Sequence, residues 1–289
     1  MIRAWWTPLV LALLMATSCS DPALTDDAGS LDVAPPLADA VADLGLDLRP
    51  ADAALPDAPA PDMGWPAGCP LAFKGLSGQA LKTAIFNQIS GHTSLSYDKA
   101  RDAIFLAKAG GIDLTAGQVE CVYTGRKSTV SGDQIPADMN VEHSWPQSKG
   151  ADKAPARSDL HHLFPVDAVA NNKRGSYAFG EADCGDCGCS WTQGGSTLGY
   201  RSGCDELVFE VRPSRGGDIA RAQFYFALRY MHLTANAIPV REELALRAWH
   251  AKDPVDAHEL KRNAAVAAIQ KKRNPLVDCP LLVDLIKDF

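Results

Sequence analysis

The sequence predicts an α+β protein, with a mainly helical body around a small sheet. Two observations indicate helices. Apolar residues recur at helical spacing near 77–90, and residues 216–236 are apolar almost all round behind Asp218, a residue suited to cap a helix. A third observation indicates the sheet, because residues 119–125 (VECVYTG) alternate between apolar and polar side chains. The chain is therefore expected to carry a strand between its helices.

The remaining helices are indicated by glycine and proline at their ends. A second helix is expected near 97–109, where two consecutive glycines follow it. Residues 240–252 (VREELALRAWHAK) form another, which the pair Asp253-Pro254 ends. The same pair is suited to open the next helix, with the aspartate as cap and the proline in the first turn, and that helix runs to about Lys272.

The first 19 residues are typical of a bacterial secretory signal, with one arginine, an apolar run and then Cys19. The run is too short and wrongly flanked for a membrane-spanning helix. Small residues stand immediately before Cys19, as in a lipoprotein cleavage box, although Ala16 stands where a larger aliphatic residue is commoner. We therefore expect Cys19 to be the acylated first residue of the mature protein. The alternative is ordinary secretion, with Cys19 removed or left free.

Residues 20–65 are built of Ala, Asp, Pro and Leu, and contain ten aspartates against a single arginine, Arg49. Spaced prolines and self-repelling charge predict an extended, disordered tether. The whole chain has 35 acidic and 28 basic residues; subtracting the ten acids and Arg49 of the tether, and Arg3 of the signal, leaves 25 acidic and 26 basic. Residues 66–289 are therefore nearly neutral, which excludes a body held to DNA by overall charge alone.

Any binding of a polyanion must then come from a local cluster of basic residues. Five basic residues close to one another in sequence are candidates: Lys149, Lys153, Arg157, Lys173 and Arg174. The alternative is an ordinary solvated charged face, which composition alone favours.

The candidate chemistry lies in the middle of the chain, where Glu142 and His143 stand side by side before Trp145-Pro146. A short strand is expected at 158–164 (SDLHHLF), followed by a corner at Pro165 and a short helix that carries Asn171 and Arg174. His143 and Asn171 are 28 residues apart. That spacing allows a strand, a turn, a second strand and a helix to fold back so that one metal ion lies between them.

Five segments of this chain resemble the endonuclease I family, which belongs to the ββα-metal (His-Me finger) superfamily of nucleases. The likeness covers nearly all of residues 69–280, in order and without large gaps. The segments read NVEHSWPQS, SDLHHLFPVDAVANNKRG, FGE, GGDIARAQFYFALRY and WHAKDPVDAHELKRNAAVAAIQKKRNPLVD. The resemblance implies a ββα-metal motif and the cleavage of DNA, and often RNA, with little sequence preference and a 5′-phosphate product.

The resemblance also implies roles for individual residues. His143 stands where the family has its general base, and Glu142 and Asn171 stand where the family binds one divalent cation. That cation is usually Mg²⁺, with Ca²⁺ or Mn²⁺ as possible substitutes. A shift of one residue in the match to the family would make Asn172 the metal ligand in place of Asn171. The physical chemistry agrees, because Mg²⁺ prefers oxygen ligands and a neutral imidazole is suited to deprotonate water.

The sequence allows more than one role for several neighbouring residues. Arg157 is a candidate for holding the scissile phosphate; Arg174 is either a second phosphate contact or the partner of an acid in its own helix. Asp159 either orients a neighbour of the site or closes a turn. His161 and His162 are expected on a strand, one pointing inward and one outward, and we expect His161 to be a hydrogen-bonded structural residue.

Seven cysteines remain when Cys19 is set aside: Cys69, Cys121, Cys184, Cys187, Cys189, Cys204 and Cys279. Behind a secretory signal they are expected to form disulfides, and the odd number leaves one unpaired within the chain. Pairing cannot be deduced from the sequence. Cys279 departs from the family, and a link to Cys69 or to Cys121 is conceivable. The alternative for residues 184–204 is a four-cysteine zinc module that binds a partner.

Together these features predict a secreted, lipid-anchored and magnesium-dependent nuclease that acts on nucleic acid in the periplasm or at the cell surface. We expect a monomer that needs no protein partner. One alternative is a nuclease restricted to RNA. Another is a tethered nucleic-acid-binding lipoprotein without activity.

Overall fold

A computed structural model of the protein describes residues 65–232 and 238–289. The predicted signal, Cys19 and all but the last residue of the predicted tether lie outside the described residues. Within the described part of the chain, no helix combines the length and the apolar character that crossing a bilayer requires.

The described residues confirm the α+β prediction. The helices are α1 (Gly78–Ile89), α2 (Tyr97–Phe105), α3 (Ala168–Arg174), α4 (Gly216–Arg229), α5 (Val240–Lys252), α6 (Ala257–Gln270) and α7 (Pro275–Asp278). Helix α4 lies at the centre, because all 14 of its residues are buried. Helix α1 packs an apolar stripe of Leu81, Ile85 and Ile89 into the same core.

Within the described residues, the strands form three small sheets where the sequence predicted one. They are β1 (Leu114–Thr115), β2 (Gln118–Glu120), β3 (Lys127–Thr129), β4 (Met139–His143), β5 (Leu163–Asp167), β6 (Ala178–Phe179), β7 (Cys189–Gln193), β8 (Ser196–Tyr200) and β9 (Leu207–Glu210). The sheet orders are β1-β2-β3, β4-β5 and β6-β9-β8-β7. Only the β6–β9 pair is parallel among these described strands.

Strands β4 and β5 form an antiparallel pair and lead directly into α3. Glu142 lies opposite Phe164, and His143 lies opposite Leu163. Asp167 then caps α3, since its carboxylate accepts the backbone N–H groups of Val169 and Ala170. Two strands followed at once by a helix are the order that the sequence predicted for this region.

Several boundaries differ from the predictions, each because a specific contact holds the chain otherwise. Pro165 is not a corner: it lies inside β5, and its carbonyl accepts the backbone N–H of Val122 at 2.9 Å. The strand predicted at 158–164 begins only at Leu163, because Leu160–His162 forms a 3-10 turn capped by Asp159.

Other boundaries shift in the same way. Helix α6 begins after Asp256, whose carboxylate accepts the N–H of Glu259, whereas Asp253 instead accepts the N–H of Gly217. Helix α2 ends at Phe105, four residues earlier than predicted, and helix α4 ends at Arg229. Of the predicted strand at 119–125, only the first two residues lie in β2; the rest form a turn.

Three disulfides confirm the predicted use of cysteine. Cys69 pairs with Cys279 and joins the two ends of the described chain, and Cys184–Cys189 and Cys187–Cys204 link the loops around β7. All four cysteines of 184–204 are thus oxidised, which is incompatible with the zinc alternative. Cys121 is the unpaired one; it is buried, and its sulfur accepts the N–H of Asp167 at 3.1 Å.

Candidate active site

Glu142 and His143 occupy consecutive positions of β4, so their side chains leave opposite faces of the strand. Glu142 points toward α3, where it meets Arg174, and His143 points toward the turn at 156–158. Both are buried, with 2% and 7% of their surface exposed. Because side chains alternate along a strand, the carboxylate and the imidazole are adjacent in sequence but lie on opposite faces of β4.

The carboxylate of Glu142 is held by two contacts to the same oxygen. The hydroxyl of Tyr123 donates to Oε1 at 2.7 Å, and Nε of Arg174 lies 3.1 Å from Oε1. Burial raises the pKa of Glu142 to about 7, against the opposing effects of the Arg174 charge and the Tyr123 hydrogen bond. Neither contact uses Oε2, so this oxygen is the one available for another ligand.

Arg174 lies beneath the site and not on its surface, since only 1% of the residue is exposed. Its other nitrogens donate to the carbonyls of Ser144 and Gly175, both at 2.8 Å, and its guanidinium lies over the ring of Phe179. The phosphate contact expected for Arg174 is therefore wrong for this structure, because every donor faces the protein. The alternative of an ion pair is correct, although the partner comes from β4 and not from the helix.

The ring of His143 is fixed through both nitrogens. Nε2 lies 3.0 Å from the carbonyl oxygen of Arg157, and Nδ1 lies 3.3 Å from the side-chain nitrogen of Gln147. A carbonyl only accepts, so Nε2 carries the proton and Nδ1 holds the free lone pair. Burial lowers the pKa of His143 to about 4, which keeps the ring neutral near pH 7. Gln147 is exposed, so its amide can give way to a water molecule.

A column of stacked side chains links His143 to Arg157. The ring of Tyr97 stacks on that of His143, with centroids 5.6 Å apart and planes inclined by 25°, and the guanidinium of Arg157 lies 4.9 Å from the Tyr97 centroid. The side chain of Arg157 is exposed and makes no hydrogen bond or ion pair with the described residues. Its donors are therefore open to solvent, and the role of Arg157 in holding the scissile phosphate stays a prediction.

Asn171 lies on the same face of α3 as Arg174, one turn earlier, since residues three apart are neighbours on a helix. Arg174 contacts Glu142, so this face of the helix is the one directed at the carboxylate. Asn171 is half-buried, whereas Asn172 is exposed on the outer face. The structure thus favours Asn171 over Asn172 as the partner of Glu142.

Asp159 and His161 lie behind the site. Asp159 is fully buried, and its Oδ2 accepts the hydroxyls of Tyr225 and Tyr230 at 3.1 and 2.8 Å. Burial would raise the pKa of Asp159, but nearby histidines and a backbone N–H lower it overall. His161 lies 2.9 Å from the carbonyl of Lys272 through Nε2. Neither contacts Glu142 or His143. Their positions agree with the structural alternatives, in which Asp159 closes a turn and His161 is a hydrogen-bonded residue of the interior.

His162, not His161, contacts His143. Its ring packs edge-on against His143 with centroids 5.6 Å apart, and its Nε2 lies 2.7 Å from the carbonyl of Ala156. The expectation that one of the two histidines points outward is wrong, because both are buried in the 3-10 turn. Sequence reasoning also missed Tyr97 and Tyr123, and no local pattern marks them, since both act through contacts with distant residues.

The donor set suits a hard divalent cation. No cluster of three or more His, Cys, Asp or Glu residues suited to hold a metal ion occurs within residues 65–232 and 238–289. Glu142 and Asn171 offer one carboxylate and one amide oxygen, both hard donors. Magnesium is commonly held by one or two protein oxygens with waters in the remaining positions, so these residues fit Mg²⁺ better than a softer metal.

Comparisons with known proteins agree on a nuclease. The family model described as Endonuclease I matches residues 77–281. The "Extracellular ribonuclease" of Bacillus subtilis (strain 168) is 31% identical, and the alignment covers 98% of each chain. The "Extracellular ribonuclease" of Bacillus amyloliquefaciens is 34% identical, over 73% of this chain and 75% of that protein.

Proposed function

The chain belongs to the endonuclease I family, and from this premise we propose that it is an extracytoplasmic, magnesium-dependent endonuclease that hydrolyses RNA and DNA to 5′-phosphate products. One observation carries the proposal: β4 presents a neutral imidazole whose Nδ1 lone pair faces only the exposed amide of Gln147, next to a buried carboxylate whose Oε2 is used by neither Tyr123 nor Arg174. A base for water and an anchor for a cation are the two parts that such a hydrolysis needs.

His143 acts as the general base in this proposal. Nδ1 takes the proton of the attacking water, in the position where Gln147 now donates to it. The carbonyl of Arg157 accepts from Nε2–H, so it both selects the tautomer and stabilises the imidazolium as it forms. A positioned base of this kind contributes on the order of 10²–10⁴ in rate.

Glu142 and Asn171 would hold the cation through Oε2 and the amide oxygen. When bound, Mg²⁺ supplies positive charge for the non-bridging phosphate oxygens and the departing 3′ oxygen. Tyr123 and Arg174 keep the carboxylate in one orientation, since both contact Oε1. Arg174 is thus a positioning residue.

Arg157 would hold the scissile phosphate. Its guanidinium is exposed, free of acidic partners in the described chain and held over Tyr97, which stacks on His143. An arginine binds phosphate through two parallel N–H donors, which orients the phosphate as well as attracting it. The contacts of Tyr97 with both His143 and Arg157 support this role, because they keep the guanidinium near the imidazole.

The protein is proposed to act outside the cytoplasm. The named relatives are extracellular ribonucleases, and residues 1–19 are typical of a secretory signal. Lipidation of Cys19 would anchor the protein in the periplasm or at the cell surface through the 20–65 tether; without it the protein is secreted. Nucleic acid is the only partner proposed, and the protein is taken to act as a monomer.

The test incubates the disulfide-bonded protein with RNA and, separately, with plasmid DNA, each with Mg²⁺ and with a chelator. We expect degradation of both substrates in Mg²⁺ alone, with 5′-phosphate ends. Degradation of RNA alone would favour the narrower ribonuclease, which the names of the relatives support. No degradation by a folded sample would overturn the proposal and favour the inactive binding lipoprotein.

A further inference from the structure

An exposed aromatic side chain stands next to the site and has no role in the chemistry above. Among the described Phe, Tyr and Trp residues, only Tyr177 and Tyr200 are exposed, each at 40%. Tyr200 ends β8 in the disulfide-bonded sheet. Tyr177 follows α3, the helix that carries Asn171.

Two chains of contacts fix Tyr177 beside the site. Its backbone N–H donates to the carbonyl of Arg174 at 3.3 Å, and Arg174 contacts Glu142. On the other side, the hydroxyls of Ser176 and Ser148 lie 3.0 Å apart, and the residue before Ser148 is Gln147, whose amide meets His143. The loop that carries Tyr177 is thus joined to both halves of the Glu-His pair.

The ring of Tyr177 lies close to Gly175. A methyl group added at Gly175 would come within 3.7 Å of Cε2 of the ring, so a side chain at this position would touch it. Gly175 has φ +53° and ψ −124°, a conformation that side-chain-bearing residues rarely adopt. The turn therefore depends on glycine, and Tyr177 beside it is 40% exposed to solvent.

We propose that Tyr177 is a stacking platform for an unpaired nucleobase flanking the scissile phosphate, and so favours single-stranded nucleic acid. This inference rests on the proposed function. An exposed ring beside a phosphate site suits a base, because every nucleobase has a flat π-face. Lys173, exposed one turn before Tyr177, makes no ion pair among the described residues and supplies positive charge for the backbone. Bases within a duplex already stack on each other and would gain little.

The test measures binding of a fluorescent oligouridylate RNA by anisotropy, with cleavage blocked by His143→Ala or, should that variant not fold, by chelator. Tyr177→Ala should weaken binding by about 5- to 150-fold, the range measured for base–aromatic stacking, whereas Tyr177→Trp should bind within about twofold of the parent. Tyr200→Ala is the matched control, with equal exposure, and should bind as the parent does. Duplex RNA of the same length should bind all four proteins alike.

A second arm removes the base in place of the ring. Each oligonucleotide in a series lacks the base at a different position along the strand. The parent protein should bind one member of the series more weakly than the intact strand, because the base that stacks on Tyr177 is missing from it. Tyr177→Ala should bind that member as tightly as it binds the intact strand. The inference is overturned if Tyr177→Ala binds as tightly as the parent, or if it weakens single-stranded and duplex RNA equally. The wild-type protein could also bind the base through Tyr177 and yet cleave no nucleic acid. That result would contradict the proposed nuclease activity and would still support the stacking site.

Discussion

Replacing Arg174 by methionine removes one partner of a buried ion pair and keeps much of the side-chain volume. The side chains of Arg174 and Glu142 are 1% and 3% exposed, so the carboxylate would be left in the interior with Tyr123 as its remaining donor. Breaking a buried pair in this way costs about 3–5 kcal/mol. We expect Arg174→Met to lower the free energy of unfolding in urea by that amount.

A second substitution tests the cause. At a pH above the pKa of Glu142, Glu142→Gln in the Arg174→Met background removes the stranded charge, so there the double variant should be more stable than Arg174→Met alone. Arg157→Ala is the contrasting control: its guanidinium is exposed and contacts only the Tyr97 ring, so the loss of stability should stay within about 1 kcal/mol. Cleavage should nevertheless fall in Arg157→Ala.

The opposite pattern would refute this reasoning. If Arg174→Met unfolds within about 1 kcal/mol of the wild type yet no longer cleaves nucleic acid, Arg174 contacts the substrate and not the protein interior. If Arg157→Ala is as destabilising as Arg174→Met, its side chain is not the open donor that the structure describes.

Three further outcomes follow from the geometry. Asn171→Ala should weaken Mg²⁺ binding by at least about tenfold in calorimetric titration, and Asn172→Ala should not; equal effects would reject the assignment. Breaking the Cys69–Cys279 link, which closes 210 residues, should lower stability by on the order of 5 kcal/mol in urea; an unchanged midpoint would show that the chain ends are held otherwise. Burial lowers the pKa of His161 to about 4, below the unfolded value of about 6.5, so the unfolded state takes up the proton first as pH falls. His161 should therefore contribute on the order of 3 kcal/mol to the loss of stability between pH 6.5 and 4, and His161→Gln should reduce that loss; an unchanged pH dependence in the variant would contradict this role.

Elements specified by local signals were predicted well. Helix α5 runs over Val240–Lys252, the same residues that helical spacing and the following Asp-Pro pair predicted. The order of strand, strand and helix around Glu142 was also predicted, because the resemblance supplied the register of Glu142, His143 and Asn171. Both kinds of information lie within a short stretch of sequence.

Features set by distant contacts were not predicted. The 3-10 turn at Leu160–His162 replaces a strand because Arg262, about 100 residues away, donates to the carbonyls of Leu160 and Leu163. The hydroxyl of Tyr123 donates to Glu142, 19 residues away in sequence, and no sequence pattern around Tyr123 predicts that hydrogen bond. The disulfide pairing was likewise open in the sequence, since seven cysteines carry no information on which sulfurs meet.

Arg174 illustrates the limit most clearly. The sequence placed it in a basic cluster beside the site, and residue type alone does not distinguish a phosphate ligand from a buried counter-ion. Burial distinguishes the two roles: Arg157 is exposed and can meet a phosphate, whereas Arg174 is buried and pairs with Glu142.

The proposed role of His143 Nδ1 as the base of a metal-dependent nuclease is tested by single-turnover cleavage with His143→Ala in saturating Mg²⁺. We expect a rate at least about 10²-fold below wild type, with the same circular dichroism and the same affinity for an uncleavable oligonucleotide. A variant that folds and cleaves at the wild-type rate would show that His143 is not the base.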